Sequence, residues 1–156
     1  MHLRAATPAD AELIAEYNAR LAWETEARAL DRPTLLAGVR ALLTDPAKGR
    51  YFVAEQAGTV VGQVMLTYEW SDWRNGLFWW LQSVYVHADF RSQGVFRALF
   101  EHVTRLASQE PGVCGLRLYV EQENERAKGV YVRHGMVNAG YEVFETMFGA
   151  GCSTSA

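Results

Sequence analysis

The chain has 156 residues, 49% hydrophobic and 21% charged, a balance that excludes disorder and suits one domain with a real core. Fifteen Lys and Arg against 18 Asp and Glu leave a net charge of −3, without the basic excess of a nucleic-acid binder. No apolar run nears the roughly 20 residues that cross a bilayer. No signal-type segment follows Met1-His2-Leu3-Arg4, and Cys114 and Cys152 have no metal or disulfide-framework spacing.

Leu3 to Ala6 is the first expected strand. Thr7-Pro8-Ala9-Asp10 opens a helix: Thr7 can cap, Pro8 suits the first helical position, and Asp10 suits the positive dipole end. Leu13, Ile14, Tyr17 and Leu21 continue it at helical spacing to about Trp23. Residues 24–30 form a polar connection. A second helix begins at Pro33 after Asp31 and stops at Asp45-Pro46. The period then changes. Tyr51 to Glu55 and Val60 to Tyr68 form a hairpin about Gly58. Trp70 to Gly76 is an aromatic-rich loop, and Leu77 to Val86 is an almost wholly apolar, hence central, strand. Val95, Leu99, Val103 and Leu106 mark a helix from about Gly94 to Ser108. Gly115 to Glu121 is a strand. Asn124 caps a last helix to about His134, ended by a left-handed Gly135. Tyr141 to Phe148 forms a final strand, and Gly149 to Ala156 a fraying tail. The order is β-α-α-β-β-β-α-β-α-β, without repeat or linker. This is an α+β (α/β) domain over residues 1–148, with four helices flanking a mixed sheet.

The most informative stretch is where the apolar strand meets the third helix: Ser83-Val84-Tyr85-Val86-His87-Ala88-Asp89-Phe90-Arg91-Ser92-Gln93-Gly94-Val95-Phe96-Arg97. Unpaired amides at a helix start attract anions, and Gly94 lets a phosphate approach the backbone. An ordinary strand-to-helix turn would read the same way, because a lone glycine motif is weak.

Arg91-Ser92-Gln93-Gly94-Val95-Phe96 resembles the Gln/Arg-x-x-Gly-x-Gly/Ala signature of the GCN5-related N-acetyltransferases. Asn124, Ala127 and Tyr131 match that family's Asn-x-x-Ala-x-x-x-Tyr pattern, followed by His134-Gly135-Met136. The resemblance spans Leu3 to about Phe148. It implies acetyl-CoA as co-substrate, bound at a V-shaped opening between two parallel strands. Pyrophosphate would lie on the amides of Arg91, Ser92, Gln93, Gly94, Val95, Phe96 and Arg97, and pantetheine along Val84, Tyr85 and Val86. Asn124 and Ala127 would complete the cofactor site. One departure is Phe96, which stands where Gly or Ala is usual.

Acetyl transfer to an amine needs a proton acceptor, donors to the carbonyl oxygen and a proton or hydrogen bond for the departing thiolate. By resemblance Tyr131 serves the thiolate; packing of its helix is the plainer role for the same ring. The usual Glu is missing from Leu77-Phe78-Trp79-Trp80-Leu81-Gln82-Ser83, so the proton would pass to water, a backbone carbonyl, Glu24, Glu26 or Glu69. Alternation puts Trp80 and Gln82 on one sheet face and Trp79 and Leu81 on the other. One tryptophan belongs to the core, and the other, with Trp80 as candidate, walls an acceptor pocket. Glu24 and Glu26, in the connection between the first helices, are candidates to hold a cationic substrate, or a solvated pair facing Arg28 and Arg32. His87, His102 and His134 are scattered, with His102 on an exposed helix face, so no metal is expected.

These features imply a cytoplasmic acetyl-CoA-dependent N-acetyltransferase. It would act by direct attack of a primary amine, of a small molecule, in a ternary complex. Alternatives are a peptide or protein amine acceptor, or a non-catalytic acyl-CoA sensor. A Rossmann binder is disfavoured, because no glycine lies between His2 and Asp10. A homodimer through the last strand would cover its edge.

Overall fold

The computed structural model describes residues 1–149. Among them are five strands in one mixed sheet and four helices, the expected α+β class. Strands β1 (His2–Ala5), β2 (Arg50–Gln56), β3 (Thr59–Ser71), β4 (Gly76–Val86) and β5 (Val113–Arg117) lie side by side in that order. Every neighbouring pair is antiparallel except β4 and β5. A parallel partner needs a long crossover, and helix α3 (Val95–Gln109) provides it. Helices α1 (Ala11–Glu26) and α2 (Arg32–Thr44) precede β2, and α4 (Glu125–Arg133) follows β5. The chain divides into two compact units, Met1–Leu118 and Tyr119 onward.

Strand alternation sorts the first unit's core into two layers. Tyr51, Val53 and Tyr85 pack with Ala11, Ile14, Tyr17, Val39 and Leu42 of α1 and α2. Phe52 points the other way and meets His102 of α3 edge-on at 5.1 Å. His102 is therefore half-buried rather than on an exposed face, and burial pushes its pKa down. The start of α3 sits close over β3: a Cβ on Gly62 would come within 2.7 Å of Val95 Cγ1. Gly62 thus seats the helix whose first turn forms part of the candidate site.

The N-terminus is fixed by charge. Arg4 of β1 donates to both oxygens of Asp10, each at 2.8 Å, and to Glu55 of β2 at 2.7 and 2.9 Å. Asp10 also accepts the Thr7 backbone N–H at 2.7 Å, the capping geometry that the Thr-Pro-Ala-Asp run suggested. Residues Pro8–Asp10 form a 3-10 turn before α1.

Several boundaries move for physical reasons. Helix α1 continues to Glu26, where Ala27 turns left-handed at φ 50°, so Glu24 and Glu26 lie in its last turn and not in a connection. The aromatic loop shrinks to residues 72–75, because Trp70 pairs with Leu77 and Ser71 with Gly76. Ladder pairing with apolar β4 overrides the local polarity of that segment. Strand β5 ends at Arg117, short of the expected Glu121. Residues 141–148, expected as a last strand, enter no ladder among the described residues. Their composition suits a strand, but a strand forms only against a partner, so the expected dimer edge lacks the strand it rested on. Of the expected tail, residues 150–156 lie outside the described residues. No helix among the described residues is long and apolar enough to cross a membrane.

The Arg4 guanidinium, ahead of the Thr7 hydrogen bonds, lowers the Asp10 pKa from 3.8 to about 2. A depressed carboxylate contributes stability above its unfolded pKa and loses it as pH falls through the folded one. Wild-type melting temperature should therefore fall as pH drops from about 4 to about 2. Asp10→Asn should melt lower at pH 7 and show a shallower fall across that window by calorimetric scans. Parallel curves would show that the Arg4–Asp10 pair does not set acid stability.

Candidate active site

Strand β4 has β3 beside it along most of its length, but β5 follows it only from Leu77 to Trp80. From Leu81 to Val86 the far edge has no ladder partner among the described residues. The resemblance implied an opening between two parallel strands, and Val84, Tyr85 and Val86 lie on this stretch of β4 past the end of the ladder. Backbone N–H and C=O groups left this way demand a partner. Register adds a second irregularity. Met65 opposes Gln82 while Gln63 opposes Tyr85, so Ser83 and Val84 together face one residue of β3. That is a β-bulge, and Ser83 takes a left-handed φ of 49° within it. Such a conformation in a non-glycine residue is unfavourable and clusters at functional sites.

Side chains from three elements gather behind the bulge. Gln63, fully buried on β3, donates through Nε2 to the Ser83 carbonyl at 3.2 Å and to Asn18 Oδ1 at 2.7 Å. Asn18 Nδ2 in turn donates to the Tyr51 hydroxyl at 3.0 Å. Burial pushes the Tyr51 phenol up, partly offset by Asn18 and Ser83, so it stays protonated at neutral pH. Asn18 and Tyr51 also line a cavity of about 180 Å³ with Leu35, Val39, Leu42 and Met65, between α1 and α2 and the sheet.

Past Val86 the chain makes a 3-10 turn at Ala88–Phe90, and Gly94 caps α3. Ser92 and Gly94 are both left-handed, at φ 62° and 80°. Left-handed residues beside a helix start turn successive amides toward one concavity, a nest for anions. A Cβ on Gly94 would meet nothing within 4 Å, so open space faces the turn. Arg91 points back into the protein. Its Nε donates to the Val86 carbonyl at 3.0 Å and its Nη2 to Glu24 Oε2 at 2.5 Å. The guanidinium also lies 5.5 Å from the Tyr85 ring centre, and Tyr85 donates to Glu24 Oε1 at 3.1 Å. Glu24 thus ties the end of α1 to this loop through both oxygens, where a cation-holding role was expected. Arg32 pairs with Glu16 instead, and Glu26 is exposed. The Phe96 ring turns toward Phe100 at 5.9 Å, which accommodates the departure from Gly or Ala.

The two tryptophans divide as alternation required. Trp79 is core, with the Arg50 guanidinium 4.5 Å from its ring centre. Trp80 is half-buried and donates to Glu69 Oε1 at 3.1 Å. Glu69 also receives Arg117 Nη1 at 2.8 and 3.0 Å, and Gln82 donates to Thr67 Oγ1 at 2.7 Å. One sheet face therefore carries an acid, a base and an indole in contact.

In the second unit, Asn124 Oδ1 accepts the Ala127 N–H at 3.1 Å and caps α4. Gly135 follows its end at φ 85°, as expected. Burial pushes the Tyr131 phenol up, so it carries its proton at neutral pH. No metal-binding cluster of His, Cys, Asp and Glu occurs among the described residues.

Sequence reasoning missed Asn18, Tyr51, Gln63 and Arg117. Gln63 did leave a signal, one amide within the apolar run Val60 to Leu66. The bulge left none, since it is a mismatch between two strands.

Residues 12–136 match the model of the acetyltransferase (GNAT) family. A possible acetyltransferase from Clostridium difficile 630 is 44% identical, with a TM-score of 0.89 over 94% of this chain and 97% of that one. A ribosomal-protein-alanine N-acetyltransferase from Brucella melitensis biovar Abortus 2308 shares the fold at 20% identity, with a TM-score of 0.75 over 95% and 99% of the two chains. An integron cassette protein from the mobile metagenome of Cole Harbour Salt Marsh does so at 22%, with a TM-score of 0.80 over 94% and 90%. No protein of curated function matches the chain.

The Glu24–Arg91 contact makes a prediction about the loop. Its side chains are each 39% exposed, so losing it should cost little global stability. Glu24→Gln should melt close to wild type yet exchange the amides of residues 92–96 faster, read by hydrogen-exchange mass spectrometry. Wild-type exchange rates there would mean that the Arg91 bond to the Val86 carbonyl holds the loop unaided.

Proposed function

The chain belongs to the GNAT family and is an N-acetyltransferase, and from that premise we propose that it acetylates a primary amine of a small molecule, with acetyl-CoA as donor, by direct attack in a ternary complex. The family generally uses acetyl-CoA, which supplies the acetyl group as a thioester carried on an amide-containing arm and a pyrophosphate. The observation that carries the reading is the unpartnered edge of β4 leading straight into the left-handed turn before α3. The amides of that arm need backbone partners, and the outward-facing groups of the Val84-Tyr85-Val86 stretch are proposed to supply them, the Val86 carbonyl apart, which Arg91 holds. The pyrophosphate needs the N–H groups at the Gly94 turn, from Ser92 to Arg97. Arg91 is assigned to anchoring this loop, because its guanidinium is engaged with Glu24 and Val86.

The remaining roles follow from chemistry and from the family pattern. Tyr131, protonated at neutral pH, is proposed as the donor to the departing sulfur. Asn124 and Ala127 set the start of its helix. Trp80 and Glu26 are the proposed acceptor contacts, and Glu69, bonded to Trp80, is the carboxylate proposed to receive the amine proton. We assign the activity to one domain over residues 1–148, in the cytoplasm.

Two substitutions separate binding from chemistry. Gly94→Val forces a β-branched residue into the left-handed region and fills the space before α3. Titration calorimetry should show acetyl-CoA binding lost in a protein that still unfolds cooperatively. Wild-type affinity in that variant would remove the loop from the site. Tyr131→Phe keeps the ring and deletes the hydroxyl. Thiol release over an amine panel should slow by roughly 10²–10⁴, the usual weight of a general acid, with acetyl-CoA affinity little changed. A rate within about threefold of wild type, under ~1 kcal/mol of barrier, would leave Tyr131 a packing role alone.

A further inference from the structure

Gln63 is hard to explain as packing. It is fully buried in the middle of β3, with Val61, Val64 and Leu66 buried around it. A buried amide is costly unless its groups are bonded, and Gln63 Oε1 has no hydrogen-bond partner among the described residues. An aliphatic residue would fill the space without that cost. What Gln63 does hold is the Ser83 carbonyl, at the one β4 residue with a left-handed φ.

Peptide planarity carries the consequence forward. Across a trans peptide the C=O of one residue and the N–H of the next point in opposite directions. Gln63 lies on β3, so drawing the Ser83 carbonyl toward Gln63 aims the Val84 N–H away from β3. On that side β4 has no ladder partner among the described residues. Asn18 accepts the other Nε2 hydrogen of Gln63 and is itself bonded to Tyr51, so the amide cannot rotate without breaking a buried chain.

We propose that Gln63, backed by Asn18 and Tyr51, is a positioning residue for acetyl transfer: it fixes the Ser83–Val84 peptide so that the Val84 N–H is presented to the acetyl carbonyl oxygen. The proposal rests on the acetyl-CoA reading above. With the phosphates at the Gly94 turn, the arm runs back along β4 from Val86 toward Val84, and its acyl end reaches the bulge. There a preorganised donor acts on charge that develops only during reaction. Loss of the positioning should therefore lower kcat and leave cofactor affinity in place.

Gln63→Met keeps the length and flexibility of the side chain and deletes the donor. With the amine that wild type turns over fastest, kcat should fall at least 10-fold while the acetyl-CoA Kd stays within threefold. In the cofactor-free protein, the Val84 amide should shift in nitrogen–proton spectra and exchange faster with solvent. Tyr51→Phe, which keeps its ring, should move both readouts in the same direction by less, and it decides the matter if Gln63→Met fails to fold. Wild-type kcat with an unmoved Val84 amide overturns the proposal. So does a fall in affinity that matches the fall in kcat, since Gln63 would then serve cofactor binding alone. A wild-type chain that takes up no acetyl-CoA sinks the acetyltransferase reading itself, and this proposal with it. Uptake and turnover by wild type with an unaffected Gln63→Met variant sinks only the positioning role.

Discussion

An interior strand must find partners for its N–H and C=O groups on both sides, and among the described residues β4 has a ladder on one side only once it passes Trp80. Much of the site follows from that shortfall. The parallel partner β5 ends at Arg117, leaving the second half of β4 with a row of backbone groups facing outward. Elsewhere such an edge invites aggregation unless it is covered. Here it is followed, after a short turn at Ala88–Phe90, by a helix start whose first amides have no partner within the helix. A ligand with amides along its length and anionic charge at one end satisfies both needs at once.

The surrounding side chains make that edge rigid. Arg91 reaches the Val86 carbonyl, Glu24 holds Arg91 and accepts the Tyr85 hydroxyl, and Tyr17 closes the α1 side by donating to the Val60 carbonyl at 2.6 Å. Tyr17 and Tyr85 rings meet at 5.0 Å. Helix α1 is therefore attached to β4 and the loop that follows it by packing, hydrogen bonds and an ion pair together. The same helix lines the cavity beside Tyr51 through Asn18. The loop before α3 and the cavity thus share one helix, so a disturbance of one reaches the other by direct contact.

Charge is used differently in two places. The Arg4, Asp10 and Glu55 cluster joins β1, the start of α1 and β2 where the chain begins, and its contribution is to stability. The Arg117, Glu69 and Trp80 cluster sits on the sheet face beside the end of the β4–β5 ladder. There a carboxylate stays half-buried on β3, the strand beside the one that lacks the family's usual Glu, and it is one of the three carboxylates the sequence offered.

Periodicity, caps and breakers were enough to place nearly every element. The Thr7-Pro8-Ala9-Asp10 helix start, the Asn124 cap, the left-handed Gly135 and the change to strand period after Pro46 are local signals. Local backbone energetics sets them whatever the rest of the chain does. The placing of one tryptophan in the core, which is Trp79, was legible from strand alternation. Tertiary structure alone decided what depends on two segments meeting. It turned Glu24 toward Arg91, extended β3 through Trp70, left residues 141–148 without a ladder among the described residues and set a bulge at Ser83. A bulge is a register mismatch and an ion pair a choice among several reachable partners. Neither exists until distant residues are brought together, so no window along the chain contains them.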